Sequence, residues 1–563
     1  MIPLVQTSVI PIFSFNFRQK YAKMVIVITN SYPTHMPKFK PYNQNQPMLL
    51  PPDLREWLPS DHICFIINDV VDNLDISRIE ATYSDQGSPG YNPKMLLKVI
   101  FYCYTQGERS SRKIEKAARE NIVCRYLSAN QQPDHGTINL FRKDHLTELE
   151  HLFAQIVMLC DGLNIIDPAD ISIDGCIIKA NASRKKTYSR EEIAKLRKKI
   201  RGILEEAERI DEEENRIYGN KRDYHQMPEK LRDPETRQKE IKRLQEKMKK
   251  LEQADEAIAI SQKRAKTKKD KESSRHNTRN ITDGDAKLMK MKSGRTYKPA
   301  YNGQIAASRQ IITAYDVTDD NTDTRLLMPM TDKAEKNSGK KVERVKADAG
   351  YSSKDNLKKT EERGIDAYIP DQQKTVEEKQ ARDGTIPKYD RRNFKYDPES
   401  DKFLCPENKP LLYFDTDNGA KRYAGAECGT CPVKAKCAKG QRRVLKIDRQ
   451  YEKRKIEMRK KLNSQPGKNK YLERMSEVEP PFGNIIYNQN AGHFLCRGRP
   501  MVKIEFGLSC TAHNLVKIAN WIQKNENKTQ LDTLMRLPAA TPGSQTRNDL
   551  NFLLVFQCAV RTF

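Results

Sequence analysis

Two acidic residues stand where chemistry is commonly done. Asp348 closes residues 341–351, KVERVKADAGY, in which Val342 and Val345 lead into Ala347-Asp348-Ala349-Gly350-Tyr351. An extended run ending in an acid and followed by glycine reads as a strand and a tight turn. Ser352 or Ser353 can then cap a helix with its hydroxyl oxygen. In open α/β sheets, ligand-binding groups project from the carboxyl ends of strands, and Asp348 is so placed. The plainer role for a strand-end acid is to cap the next helix. Asp174 is the second acid. It lies in 169–180, ADISIDGCIIKA, where Ile171, Ile173, Cys176, Ile177 and Ile178 give a β-type run. A charge inside such a run needs a metal, a partner or a solvent-facing position to offset its desolvation.

A third group is sulfur. Cys405, Cys428, Cys431 and Cys437 give one C-x2-C and one C-x5-C, with Cys405 upstream beside Pro406. Four such thiolates can close a tetrahedral structural zinc site that staples a loop-rich insert. Free thiols are the alternative.

These residues need a scaffold, and the pattern along the chain supplies one. Coherent patterning begins near Met36, so 1–36 read as a disordered or non-native arm. Residues 37–165 read as a helical DNA-binding domain. Pro51-Pro52-Asp53 opens one helix, Pro93 another, Ser110-Ser111 a third ahead of Ile114, and Asp134 a fourth that carries Asn139, Arg142 and Lys143. Arg112, Lys113 and Arg142 are the expected DNA contacts there, because short basic helices are how helical modules approach phosphates and grooves. A plain packing domain is the alternative.

The Asp174 strand falls in 166–184. Residues 185–282 then take a coiled-coil rhythm: Ile193, Leu196, Ile200, Ile203, Ala207, Ile210 and Ile217, followed after Pro228 and Pro234 by Ile241, Leu244, Met248, Leu251 and Ile258. Two antiparallel helices inserted in a loop fit this rhythm. The dense Lys/Arg between 263 and 279 suits DNA or a solvated charged face. In 283–371 regular structure returns, with strands over 302–307 and 310–317, a helix from Asp323, the Asp348 strand, a helix over 353–363 and a strand over 365–370. Laid end to end this is three strands, helix, strand, helix, strand, with one long insertion after the first. Residues 372–470 form a basic, Cys-bearing insert, and 471–523 are mostly helical. The apolar end of 524–563 is an extension with no evident partner.

Composition narrows the partners. Among 563 residues, Lys and Arg outnumber Asp and Glu 101 to 75, a formal charge of +26. Summed Lys/Arg potential attracts polyanions and releases their condensed counterions, so double-stranded DNA is the expected partner. No apolar run reaches the roughly 18–20 residues that span a bilayer, and no membrane partner is expected. Twelve cysteines without disulfide-scaffold density fit a reducing cytosol.

Several short motifs in order carry a family resemblance: IDG at 173–175, YNGQ at 301–304, ADAGY at 347–351, VEPPFGNI at 478–485, FLCRG at 494–498 and AHNL at 512–515. With a KFKPYNQNQ segment at 38–46 and a Cys-bearing insert, the chain from about Met36 to Gln523 resembles the DDE transposases of bacterial insertion sequences. The resemblance implies an α/β, ribonuclease H-like catalytic core, a cytoplasmic, nucleoid-associated protein acting as a homodimer on DNA, and a catalytic triad of Asp174, Asp348 and Glu479. Those three carboxylates would hold Mg²⁺ (or Mn²⁺), hard ions that take oxygen ligands and can activate water or a 3′-hydroxyl for in-line displacement at phosphorus. Glu477 is the competing third acid, and Glu479 is preferred because it directly precedes Pro480-Pro481-Phe482-Gly483. Tyr471, Arg474 and Arg497 are the DNA contacts the resemblance adds. Two departures stand out: the pattern's lysine position holds Ile486, and Asn490-Ala491-Gly492-His493 replaces a glycine-aromatic-basic run. Against strand transfer stand two alternatives, a metal-dependent nuclease on the same core and a decayed, non-catalytic DNA-binding copy.

Overall fold

A computed structural model of the chain describes residues 53–83, 90–218, 234–264, 274–291, 296–371, 380, 382–417 and 419–525. The expectations for 1–36 and for most of 524–563 lie outside the described residues.

Three of the N-terminal helices start where the sequence places them, at Pro93, Ser110-Ser111 and Asp134, while Pro51-Pro52 lies outside the described residues and the first long helix starts at Ile63. The N-terminal helices are α1 (Ile63–Asn73), α2 (Pro93–Thr105), α3 (Ser111–Glu120), α4 (Ile122–Leu127), α5 (His135–Asp144) and α6 (Leu146–Gly162). Pro93 occupies the first turn of α2, where its missing N–H costs nothing, and the Asn92 side chain accepts from Lys94 and Met95. Asp134 accepts from the Thr137 N–H at 2.6 Å at the head of α5. Each cap of this kind is worth about 1 kcal/mol.

A mixed sheet forms the centre: β1 (Asp170–Lys179), β2 (Lys287–Lys290), β3 (Tyr297–Ser308), β4 (Ile311–Thr318), β5 (Arg344–Ala347) and β6 (Asp366–Tyr368), in the order β2-β3-β1-β5-β6 with β4 also on β3. β3 runs antiparallel to β1, and β5 and β6 run parallel to it and to each other. Helices α9 (Leu327–Ser338) and α10 (Lys354–Glu362) make the crossovers. One sheet face, with Ile171, Ile173, Ala306, Ala314, Val345 and Ala347, packs on those two helices. The other, with Ile178, Tyr301, Ile305 and Tyr315, shares a single core with the N-terminal helices and with the long C-terminal helix α13 (Arg499–Asn525). The N-terminal helices therefore have no core apart from the sheet.

The AHNL residues close this layer. Asn514 accepts from the Ile312 N–H at 2.9 Å and donates to its carbonyl at 2.8 Å, replacing a neighbouring strand on β4. His513 is buried between Asn484 and the Gln310 carbonyl, and burial pushes its pKa down to about 4. The inserted hairpin is α7 (Arg190–Tyr218) against α8 (Pro234–Arg264), with Ile193, Ile200, Leu244, Leu251 and Ile258 in its seam. Ile217 lies among side chains outside the described set. The Cys-bearing insert holds a five-stranded antiparallel sheet over 395–447 that the turn-rich sequence does not announce.

Candidate active site

Register brings the two aspartates together. Ile173 of β1 is paired with Ala347 of β5, so Asp174 and Asp348 are the next residues along adjacent parallel strands, whose backbones lie about 4.8 Å apart. Asp348 also plays its plainer role, since its Oδ1 accepts from the Gly350 N–H at 2.8 Å and caps the turn Ala349–Tyr351. Ser353, rather than Ser352, caps α10.

A third aspartate adjoins them. Asp323 Oδ1 accepts from Asn302 Nδ2 at 2.7 Å and from Gln304 Nε2 at 2.8 Å, and the Tyr351 hydroxyl donates to Gln304 Oε1. Glycine is required at 175 for this network, because a Cβ there would lie 2.1 Å from Gln304 Nε2 and 3.0 Å from Asp323 Oδ1. Burial, then the charges of Asp323, Asp174 and Asp348, push the Tyr351 phenol well above its ordinary range. Three carboxylates thus surround one hydroxyl. Sequence reasoning treats Asp323 as a helix start, yet the helix begins at Leu327. The signal for the network was the alternation of Asn302 and Gln304, which puts two amides on one strand face.

The helix α12 (Gln465–Gly483) lies across the other face, after α11 (Arg449–Asn463). Ser464 caps it by accepting from the Gly467 N–H, and a Cβ on Gly467 would meet the Lys461 carbonyl at 1.9 Å. Arg474 Nη1 stands 3.2 Å from Asp174 Oδ2, with its guanidinium carbon 5.9 Å from the centre of the Tyr471 ring. Burial opposes the arginine's charge, but Asp174, Tyr471 and Asp348 outweigh it and raise its pKa. Arg474 Nε and Nη1 are both buried.

Glu479, the expected third acid, is exposed and sits five residues beyond Arg474 on α12. Glu477 faces the sheet instead, paired with Lys346 at 2.9 Å and accepting from the Ser172 hydroxyl. Among the described residues, no three His, Cys, Asp or Glu side chains form a group that could hold a metal. In donor chemistry Asp174 and Asp348 do fit a hard divalent ion.

The expected DNA contacts divide. Arg112 and Arg497 are exposed, Arg497 also donating to the Asn181 carbonyl at 3.1 Å, and Lys113 is paired with Glu108 at 3.0 Å. Arg142 is corrected: it is 3% exposed and donates to the Tyr104 hydroxyl and the Arg109 carbonyl, so it holds helices together and meets no groove. The sequence put it on the right helix and could not say which face. Ile486 is half-buried against the main core. The four insert cysteines line one cavity of about 30 Å³, with backbone N–H groups of Lys409 and Arg443 directed at Cys405 and Cys428.

Asp174, within β1, and Asp348, just past β5, thus stand side by side where the pairing of the two strands ends. Residues 404–519 match the family model of the transposase DDE domain, and residues 52–144 match that of a transposase domain. These matches indicate a DDE-type transposase of insertion-sequence type. The first match covers Glu479 and the second half of the insert, and the two aspartates lie outside both. No curated protein matches the chain, and no solved structure does. Among the described residues, no helix is long and apolar enough to cross a membrane.

Proposed function

We propose that this protein binds the terminal inverted repeats of its element and catalyses metal-dependent strand cleavage and strand transfer. The observation that carries this reading is the placement of Asp174, within β1, and Asp348, just past the end of β5, one residue beyond the paired Ile173 and Ala347, faced by Arg474. The strand order β4-β3-β1-β5-β6, with its antiparallel and parallel halves, supports a ribonuclease H-like core. Asp174, Asp348 and Glu479 would hold Mg²⁺ or Mn²⁺, which supplies an activated oxygen nucleophile and charge neutralisation at the scissile phosphate when bound. Arg474 must then leave Asp174, and its guanidinium suits phosphate oxygens, which arginine can grip bidentately. Tyr471 beside it, with Arg112, Lys113 and Arg497, extends the DNA contact.

The same reading gives a structural zinc to Cys405, Cys428, Cys431 and Cys437, supported by their shared cavity. Their thiols must draw closer than they now stand. It also includes a homodimer on paired DNA ends in the bacterial nucleoid. Purified protein mixed with a labelled element end and Mg²⁺ tests the proposal. Cleaved and joined products are expected. Cleavage without joining would leave a nuclease, and binding alone would leave a decayed copy.

A further inference from the structure

Asp170, Ser172 and Asp174 follow one another on the same face of β1, since side chains alternate along a strand. Lys346 of β5 is in register with Ser172 and is fully buried. Its ammonium lies 2.9 Å from Asp170 Oδ1, 2.9 Å from Glu477 Oε2 and 3.4 Å from Glu473 Oε2. The Ser172 hydroxyl donates to Glu477 Oε2 as well. Arg344 and Lys470 complete the cluster on Asp170, at 3.0 and 2.6 Å. Three carboxylates (Asp170, Glu473, Glu477) thus meet three cations (Arg344, Lys346, Lys470). Burial opposes ionisation of Asp170, yet hydrogen bonds from Lys470, Lys346 and Arg344 and the charge of Lys346 hold its carboxyl below the usual range.

We propose that Lys346 and Glu477 are positioning residues for the reaction: together they seat α12 on the sheet so that Arg474 meets Asp174. The inference rests on the reading of Asp174 as a site residue. An apolar helix face can rotate or slide on a sheet with graded loss. An ionic seat cannot, because a shift of one residue turns the helix by about 100° and strands a buried ammonium at a cost of several kcal/mol. Arg474 is three residues before Glu477 and Glu479 two after it, so the seat fixes both. Glu477 is thereby assigned to the scaffold and not to the metal.

The test is a cycle on the full-length chain, with Glu477→Gln in the wild-type and Arg474→Lys backgrounds, following Mg²⁺-dependent cleavage of a labelled element end. Glu477→Gln is expected to lower kcat about tenfold alone and less than about threefold beside Arg474→Lys, with KM for DNA nearly unchanged, because coupled residues are not additive. Equal losses in both backgrounds, or no loss, overturn the proposal. A loss in Glu477→Gln as deep as that of Asp174→Asn makes Glu477 a metal ligand and overturns it too. Hydrogen exchange over residues 465–483 needs no activity and is expected to rise in Glu477→Gln. If wild type cleaves nothing, the functional reading fails, and unchanged exchange would then overturn the seat independently. Lys346→Met leaves three carboxylates without their shared cation and can fail to fold, which is why the near-isosteric glutamine carries the test.

Discussion

Asp170 and Asp174 are four residues apart on the same face of one strand, and both meet α12, yet they sit in opposite electrostatic regimes. Asp170 is held by three cations and a nearly closed shell of packing. Asp174 is faced by Arg474, whose Nη1 stands 3.2 Å from its Oδ2. A saturated carboxylate can only stabilise the fold. A carboxylate whose counter-ion is removable can exchange it for another cation, which is the property a metal ligand needs. Burial does not separate the two, since their side chains are 11% and 18% exposed. The charge of their neighbours does: three cations crowd Asp170, whereas Asp174 stands beside another carboxylate, Asp348.

Four experiments break or sharpen that comparison. The largest effect is expected from Asp348→Asn or Asp174→Asn, which should abolish Mg²⁺-dependent cleavage by about 10³-fold or more while DNA affinity, read by fluorescence anisotropy, stays within a few-fold. Retained cleavage would remove both aspartates from the chemistry. Next is Glu479→Gln. A loss of roughly 10²–10³-fold in kcat is expected if it completes the ion site, and an unchanged rate would show that the third acid is elsewhere, with Asp323 the nearest candidate.

At the saturated end of the comparison, Lys346→Met should cost about 3–5 kcal/mol in urea unfolding, the range for breaking a buried ion pair. A change below 1 kcal/mol would mean that water reaches the cluster. The smallest effect concerns His513, whose folded-state pKa is about 4 against an ordinary 6.5. The unfolded chain binds this proton first as pH falls, so the stabilising contribution is present above about pH 6.5 and is lost between there and pH 4. The full swing is on the order of 3 kcal/mol. Stability measured at pH 7 and 5 should differ less in His513→Asn than in wild type.

Much of the core was legible because its signals are local. The β-type run around Asp174 became β1, the 341–351 stretch gave β5 and its turn, and the two paired strands after 301 are β3 and β4. The inserted hairpin followed from its 3–4 spacing. What could not be read was any property that depends on which side a residue faces. Arg142 looked like a DNA contact and is buried. Lys346, one of 101 basic residues, drew no reading from the sequence, and it sits at zero exposure beneath α12. The small sheet of the Cys-bearing insert escaped notice because its short strands carry charges and aromatics on open faces, with little hydrophobic alternation to mark them. Pro480-Pro481 lie inside the last turn of α12, before the wide turn Asn484–Asn488.

One guanidinium joins regions nearly four hundred residues apart. Arg109, between α2 and α3, donates to the carbonyls of Gln489, Asn490 and His493 and pairs with Glu505 of α13, which in turn accepts from the Leu495 and Cys496 N–H groups. The loop that leaves the candidate catalytic helix is thus sutured to the front of the chain. Modular exchange between related elements is constrained accordingly: a new front third grafted onto this back half would inherit a buried glutamate without its mate. Any lineage that swapped one would have to carry residues 489–505 along with it.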